Sequence, residues 1–405
     1  METTKKNIFI TVLVAALGYF VDIYDLLLFS IVRVSSLKAL GITEEADILS
    51  NGVLLINSQM IGMLVGGVFW GILGDKKGRL SVLFGSIFMY SVANIINAYV
   101  SSVEQYAIMR FIAGVGLAGE LGAGITLVSE IMSTEKRGYG TSIVAGIGIL
   151  GAVVAAFVGK MYDWRTSYLI GGVLGILLLF LRISLFESGM FKDVKESNIQ
   201  RGNFFMLFKD ANRFKKYLNC ILVGLPIWYA IGILVTFSPE FGKAFGMTEL
   251  PVAGEAVKYS YIGLSIGDIS SGFFSQRIRS RKKSLLIFII LTLISIILYF
   301  TVASTSLTVF YTICGLLGFS IGYWAIFVTN AAESFGTNLR ATVTTSVPNF
   351  IRGSVVPLTL FFNSLKEPLG IANSAIFVGL ITIFIALFSL SKLEETYGKD
   401  LNYIE

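Results

Sequence analysis

The stretch Gly71-Ile72-Leu73-Gly74-Asp75-Lys76-Lys77-Gly78-Arg79 is a tight charged turn between two runs of more than 18 almost wholly apolar residues. Runs of that length cross a bilayer as helices, so the stretch reads as a short loop between two membrane helices. Its glycines let the backbone turn sharply and approach a neighbouring helix. Asp75 and Arg79 can pair with each other, with helix termini or with charges across the loop, and a loop of this kind can lock a conformation. A solvated turn on a basic membrane face is the plainer alternative.

Composition agrees with a membrane setting. Of 405 residues, 55% are hydrophobic and only 14% charged, with 32 Phe and 42 Gly, which lies outside the range of soluble chains. The net charge of +6 does not point to nucleic acid, because Lys and Arg of membrane proteins gather on cytoplasmic loops. The two cysteines, Cys220 and Cys314, lie inside apolar segments, so neither a disulfide framework nor a metal-ligand spacing is expected, and no cofactor is implied. There is no histidine, so any proton coupling must rest on carboxylates, and a membrane enzyme would lack a visible nucleophile–base pair. Lys5 and Lys6 precede an apolar run too long for a signal-peptide core, which reads as an uncleaved first helix.

Outward from the opening stretch, the apolar runs number twelve: 8–32, 51–73, 80–100, 105–131, 139–160, 166–186, 217–238, 256–275, 284–303, 306–332, 342–362 and 370–390. The expected fold is an all-α membrane protein of twelve transmembrane helices in two pseudo-symmetric six-helix bundles. The bundles would be residues 1–186 and 217–391, joined by a cytoplasmic linker at 187–216 and followed by a cytoplasmic tail at 392–405. Basic clusters at Lys76–Arg79, Lys136–Arg137, Lys209–Lys216, Arg277–Lys283 and Arg340 fall on one side if both termini are cytoplasmic. That places a multi-pass protein in the inner membrane.

The halves are related. Glu130 and Arg137 close the fourth run in an E-x6-R pattern, and Glu333 and Arg340 close the tenth in the same pattern, 203 residues later. Gly71 to Lys76 similarly corresponds to Gly272 to Arg277, where Gln276 stands in place of the acid, so the second gate reads as the weaker one. Parallel repeats of this kind put a binding site near the bilayer midplane. All six prolines lie in the second half, and Pro226, Pro348 and Pro357 are candidate hinges, with ordinary kinks as the alternative.

Ionisable residues inside apolar runs are functional candidates, because burying a charge in hydrocarbon is costly. Asp22 and Asp25 share a face of the first helix with Gly18, Phe29 and Arg33. At about 1.5 Å per residue, Asp25 lies roughly 26 Å from the inner start of its helix and Arg110 roughly 30 Å above Glu130 on the fourth. An Asp25–Arg110 ion pair follows, with Asp22 close enough to share it, and protonation of the aspartate would release the arginine. Glu120 sits near the midplane in a glycine-rich stretch, where it can hold a proton, an amine-bearing substrate or a cation of the other half. Arg352 is the counterpart, able to neutralise an anionic substrate or to pair with Glu120 or Asp268. Asp268 itself reads as a cap or a gate. Trp228, Tyr229, Tyr323, Trp324 and Asn330 suit a partly polar cavity wall, although packing and interfacial anchoring use the same residue types.

Gly71 to Arg79, Arg110 to Gly116, Glu130 with Arg137-Gly138, Trp164-Arg165 and Glu187-Ser188 together resemble the sugar-porter and metabolite–proton-symporter branches of the major facilitator superfamily. The resemblance implies a secondary transporter that works by alternating access, and not an enzyme. It implies proton coupling through an Asp25–Arg110 pair; Asp22 and Glu120 join the proton-coupling candidates as carboxylates inside apolar runs. It also implies a cytoplasmic gate of Gly71, Asp75, Gly78, Arg79, Glu130, Arg137, Glu187, Glu333 and Arg340. Val21-Asp22-Ile23-Tyr24-Asp25 resembles the D-G-Y-D element of aromatic-acid symporters, with Ile23 in place of the glycine. Ile227-Trp228-Tyr229-Ala230 stands where sugar porters carry paired glutamines, which argues against a sugar, and the fifth helix lacks the Gly-Pro pair of drug antiporters. The expected partners are a small metabolite, with a carboxylate favoured, protons and the bilayer, for a monomer. A facilitator, an exporter or a sensor built on the same fold is the alternative.

Overall fold

The computed structural model describes residues 5–133, 135–182 and 202–404. Among them the only regular structure is helical. The first half comprises α1 (Lys5–Ala39), α2 (Glu45–Lys77), α3 (Arg79–Asn97), α4 (Val103–Ile131), α5 (Arg137–Met161) and α6 (Trp164–Arg182). The second comprises α7 (Ala211–Val235), α8 (Ala253–Ile278), α9 (Arg281–Thr301) and α10 (Leu307–Ser334), followed by the stretch Arg340–Lys392. That stretch of 53 residues would be about 80 Å long as one rod, far more than a bilayer requires. Gly370, at φ 74°, divides it into α11 (340–369) and α12 (371–392). Among the described residues, ten stretches are apolar and long enough to cross a membrane by length and composition alone. The division at Gly370 and the more polar α8, which carries Ser260, Ser265, Asp268, Ser271 and Gln276 inward, bring the fold to the twelve helices expected.

Local chemistry sets the helix ends. Gly78 turns the chain from α2 into α3 at φ 103°, a conformation that other residues adopt only under strain. Ser102, Asp210, Ser280 and Ser306 each accept a hydrogen bond from the backbone N–H three residues on, at the starts of α4, α7, α9 and α10. Asp163 does the same for α6, accepting from Arg165 and Thr166. The expected boundary at 217 moves: α7 begins at Ala211, inside the stretch read as linker, after a short helix at Met206–Lys209.

Large apolar side chains such as Phe180, Leu177, Phe384 and Phe388 project outward, and the polar ones point in. Arg79, Arg110, Arg182, Arg281, Arg340 and Arg352 are all buried, which fits a protein whose surroundings are apolar and whose interior is the polar phase. The halves meet where α2 packs on α11 and α5 on α8. A Cβ at Gly71 would stand 2.8 Å from the Thr342 Cα, and one at Gly272, its counterpart in the repeat, would overlap the Ser142 hydroxyl. Only glycine permits that approach. Short hydrogen bonds cross the same seam: Thr126 to Thr344 at 2.5 Å, Thr329 to Thr141 at 2.9 Å, and Asn349 to the Ala118 carbonyl at 3.0 Å.

Five helices are interrupted partway: α4 at Ala118–Gly119, α5 at Leu150, α7 after Leu222, α10 at 321–323 and α11 at Ser354. α7 continues as Leu225–Tyr229 and then as a π-helix at Ala230–Val235. Pro226 begins the segment that follows the α7 break, Pro348 lies inside the Arg340–Gly353 helix, and Pro357 follows the break at Ser354.

Candidate functional site

The buried ionisable residues gather in two polar constellations. The first is at the basic end. Glu130 Oε1 accepts from Arg79 at 2.7 Å and from Arg340 of the other half at 3.0 Å. Arg79 also donates to the Gly74 carbonyl at 3.0 Å and across the seam to the Thr337 carbonyl at 3.2 Å. Asp75 lies 3.7 Å from Arg79 and accepts from the backbone N–H of Ala341 (3.0 Å) and Thr342 (2.8 Å). It therefore caps α11, the helix that begins with Arg340.

The repeat reproduces this with the halves exchanged. Glu333 accepts from Arg281 at 3.1 and 3.2 Å and lies 3.8 Å from Arg137 of the first half. With its amide turned to satisfy both neighbours, Gln276 accepts from the Gly138 N–H at 2.7 Å, at the start of the helix that begins with Arg137. Gly71, Asp75, Gly78, Arg79, Glu130, Arg137, Glu333 and Arg340 are thus brought together at one end. Glu187, the remaining gate expectation, lies outside the described residues.

Sequence reading passed over Arg281. The repeat carried the signal, since 79 plus 202 is 281, close to the offset that relates Glu130 to Glu333.

The second constellation lies deeper. Arg110 donates to Asp25 Oδ1 at 3.3 Å and lies over the rings of Phe29 and Tyr168, at 5.8 and 5.5 Å. Asp22 does not share this pair. It faces Arg352 instead, at 3.9 Å, and both its carboxylate oxygens are buried without a hydrogen-bond partner. Arg352 donates to Asn349 Oδ1 at 3.1 Å, and its guanidinium lies 5.6 Å from the Trp324 ring centre. Tyr19, Trp228, Tyr261, Trp324 and Arg352 line a cavity between the halves, together with aliphatic residues of α1, α5, α7 and α8. The indole N–H groups of Trp228 and Trp324 are buried there with no acceptor. The cavity measures only about 20 Å³, room for a water molecule, so in this closed form it is the chemistry of the lining that is legible. Apolar walls, one guanidinium and two free N–H donors form a set that suits a small anion with an apolar body once the space opens.

Several expectations are corrected. Glu120 does not meet Arg352: it holds Arg182 of α6 in a two-pronged pair at 2.6 and 3.0 Å and accepts from Ser86 at 2.7 Å. Sequence reading gave no role to Arg182, although it is an ionisable residue inside the run 166–186; its side chain turns inward and is buried. Tyr229 is not in the cavity, because its hydroxyl donates to the Ala375 carbonyl at 2.6 Å and ties α7 to α12. Tyr323 likewise ties α10 to α7 through the Val223 carbonyl at 3.1 Å. Asn330 lies below, where its Oδ1 is 3.0 Å from the Thr396 hydroxyl. Asp268 accepts from the Ala325 N–H at 3.0 Å and caps the lower part of α10 beyond its break.

Known proteins share this architecture. The structure of the proton:xylose symporter XylE bound to 6-bromo-6-deoxy-D-glucose superposes with a TM-score of 0.78 over 98% of both chains, at 17% identity. A putative metabolite transport protein of Haemophilus influenzae is 27% identical over 410 residues, covering 96% of each chain. The gentisate transporter of Corynebacterium glutamicum is 25% identical over 403 residues, covering 93% of this chain and 86% of its own. The Major Facilitator Superfamily model matches residues 8–358, and the chain belongs to that superfamily of membrane transporters.

Proposed function

We propose that the protein is a proton symporter for a small organic carboxylate, working by alternating access across the inner membrane with its basic end in the cytoplasm. The observation that carries this reading is Arg352, whose guanidinium faces an aromatic cavity and is opposed by a hydrogen-bond-free Asp22 at 3.9 Å. In the empty carrier Asp22 balances the charge of Arg352. An entering carboxylate offers two oxygens in the geometry that a guanidinium binds best, and the two indole donors remain for its other acceptors.

Charge then dictates the stoichiometry. A bound anion beside an ionised Asp22 would leave one uncompensated charge in a buried site, a cost of several kcal/mol. Taking up one proton on Asp22 removes it, so anion and proton cross together and no net charge moves. Asp25 and Arg110 form a second neutral pair one turn along α1, whose breakage on protonation lets α1 and α4 shift. A carboxylate as substrate is also supported by the similarity to a gentisate transporter.

The test is uptake of radiolabelled aromatic and aliphatic monocarboxylates, amino acids and sugars into proteoliposomes, with a pH gradient or a potassium-diffusion potential imposed separately. The expected result is accumulation of a carboxylate driven by the pH gradient and indifferent to the potential, abolished by Arg352→Ala. Uptake that equilibrates and ignores the gradient would make the carrier a facilitator, with Asp22 and Asp25 as static partners of their arginines.

A further inference from the structure

Beyond α12 the chain does not leave the protein. At Leu393 it becomes extended, turns back at Gly398 (φ 80°) and runs beneath the basic end as far as Ile404. Charged residues are dense here: Glu394, Glu395, Lys399 and Asp400. Even so, Leu393, Thr396 and Leu401 are buried, Leu401 to within 1% of full enclosure.

We infer that Leu393–Ile404 is a strap that holds the carrier closed at its basic end by completing the weaker of its two gates. Its anchorage is on the second half. The Thr396 hydroxyl lies 2.8 Å from Glu333 Oε2, the Thr337 N–H donates to the Tyr403 carbonyl at 2.8 Å, and the Tyr403 hydroxyl donates to the Glu333 carbonyl at 3.3 Å. Glu395 accepts from the Ser280 hydroxyl and from the Arg281 N–H at 2.8 Å, so it caps α9 at the N-terminus that carries Arg281.

Two further bonds give this anchored segment its purpose. The Leu401 carbonyl accepts from Arg340 at 2.5 Å, and the Lys399 carbonyl accepts from Arg137 at 3.1 Å. Arg137 and Arg340 are the arginines that face a carboxylate of the opposite half, Glu333 and Glu130. Arg137 is 3.8 Å from Glu333, too long for a hydrogen bond, and its Nε and Nη1 have no hydrogen-bond partner. The charge-assisted hydrogen bond that joins Arg137 to the second half is therefore made through the strap, whose carbonyl is held in place by the second half. When the halves part at this end, Arg137 leaves with the first and the strap stays with the second, so opening must break that bond.

The experiment requires no substrate and so stands apart from the symport reading. Thr344→Cys, in a chain with Cys220→Ser and Cys314→Ser, reports opening: Thr344 touches Thr126 across the closed seam at 2.5 Å. Maleimide labelling in everted vesicles is compared between the full chain, a chain ending at Gly398, and full-length Leu401→Asp, each checked for a monodisperse profile in detergent. Labelling should rise roughly tenfold in both altered chains, the worth of one hydrogen bond to a charged group. Arg137→Ala should add little in the shortened chain while raising labelling in the full one. Unchanged labelling in the shortened chain and in Leu401→Asp would overturn the strap, as would Arg137→Ala adding its full increment in the absence of residues 399–405.

Discussion

The two gate clusters descend from one pattern and differ in charge. Around Glu130, two carboxylates (Asp75 and Glu130) face two arginines (Arg79 and Arg340), and the ion pairs with Glu130 close to 2.7 and 3.0 Å. Around Glu333, the position of Asp75 is taken by Gln276, so one carboxylate faces Arg281 and Arg137, and Arg137 stands off at 3.8 Å. Gln276 keeps the acceptor oxygen that meets the opposing helix and drops the charge. An excess of positive charge results, and the Lys399 carbonyl of the C-terminal segment accepts from Arg137 there. A repeat can keep its geometry while its electrostatics diverge, and the half that loses a charge recruits another source of negative potential.

Glu130→Gln should have the largest effect. It leaves Arg79 and Arg340 buried around a neutral amide, and removing one partner of a buried ion pair costs about 3–5 kcal/mol. Closed-state occupancy should collapse, seen as strong labelling at Thr344→Cys and a fall in the detergent melting temperature. Glu333→Gln should raise labelling visibly less, because its contact across the seam stands at 3.8 Å, while the melting temperature should fall as far, since Arg281 loses its buried partner; equal labelling would end the claim of asymmetry.

Asp75→Asn makes the first cluster resemble the second. An amide oxygen replaces two charge-assisted contacts to Ala341 and Thr342, for a loss of about 2 kcal/mol. If the asymmetry rests on this charge, Asp75→Asn and the wild-type second gate should tolerate loss of their crossing arginines equally.

Gln276→Glu runs the other way. The added carboxylate should tighten the second gate by about 1 kcal/mol, lower labelling and slow turnover, and make removal of residues 399–405 less consequential. A variant that opens more easily would refute the charge-balance account.

The smallest effect is in pH. Burial pushes the Glu395 carboxyl up. Hydrogen bonds from the Ser280 hydroxyl and the N–H groups of Tyr397, Arg281 and Lys282 more than offset this and hold it below the usual glutamate range. A depressed carboxyl contributes fully above the ordinary range and loses its contribution as pH falls through its own value. The detergent melting temperature should therefore be flat near neutrality and fall below about pH 4, and Glu395→Gln should lessen that fall.

What the sequence made legible is depth, and what it hid is direction. Counting at a fixed rise per residue puts Asp25 and Arg110 at one level even though the count from Glu130 crosses the break in α4, and the structure holds them 3.3 Å apart. Depth does not say which way a side chain faces: Glu120 turns to Arg182 within the first half, and Arg352 turns to Asp22. The partner of Glu120 was hidden for the same reason. Arg182 lies within one turn of the end of the run 166–186, where a long side chain can reach either outward to the interface or inward, and its direction is set by the fold. The strap was hidden more deeply still: it acts through main-chain carbonyls, which every residue possesses and no sequence pattern marks.

The π-helix at Ala230–Val235 bears on the cavity in mechanical terms. A π-turn holds one residue more than an α-turn, so absorbing or re-forming it changes the azimuth of the preceding turn by about 100°. Trp228 rides on that preceding turn, its indole against the cavity beside Arg352. The aromatic wall is thus mounted on a thread: a bulge that migrated past that turn would swing the indole by that angle while both ends of α7 stayed where they are.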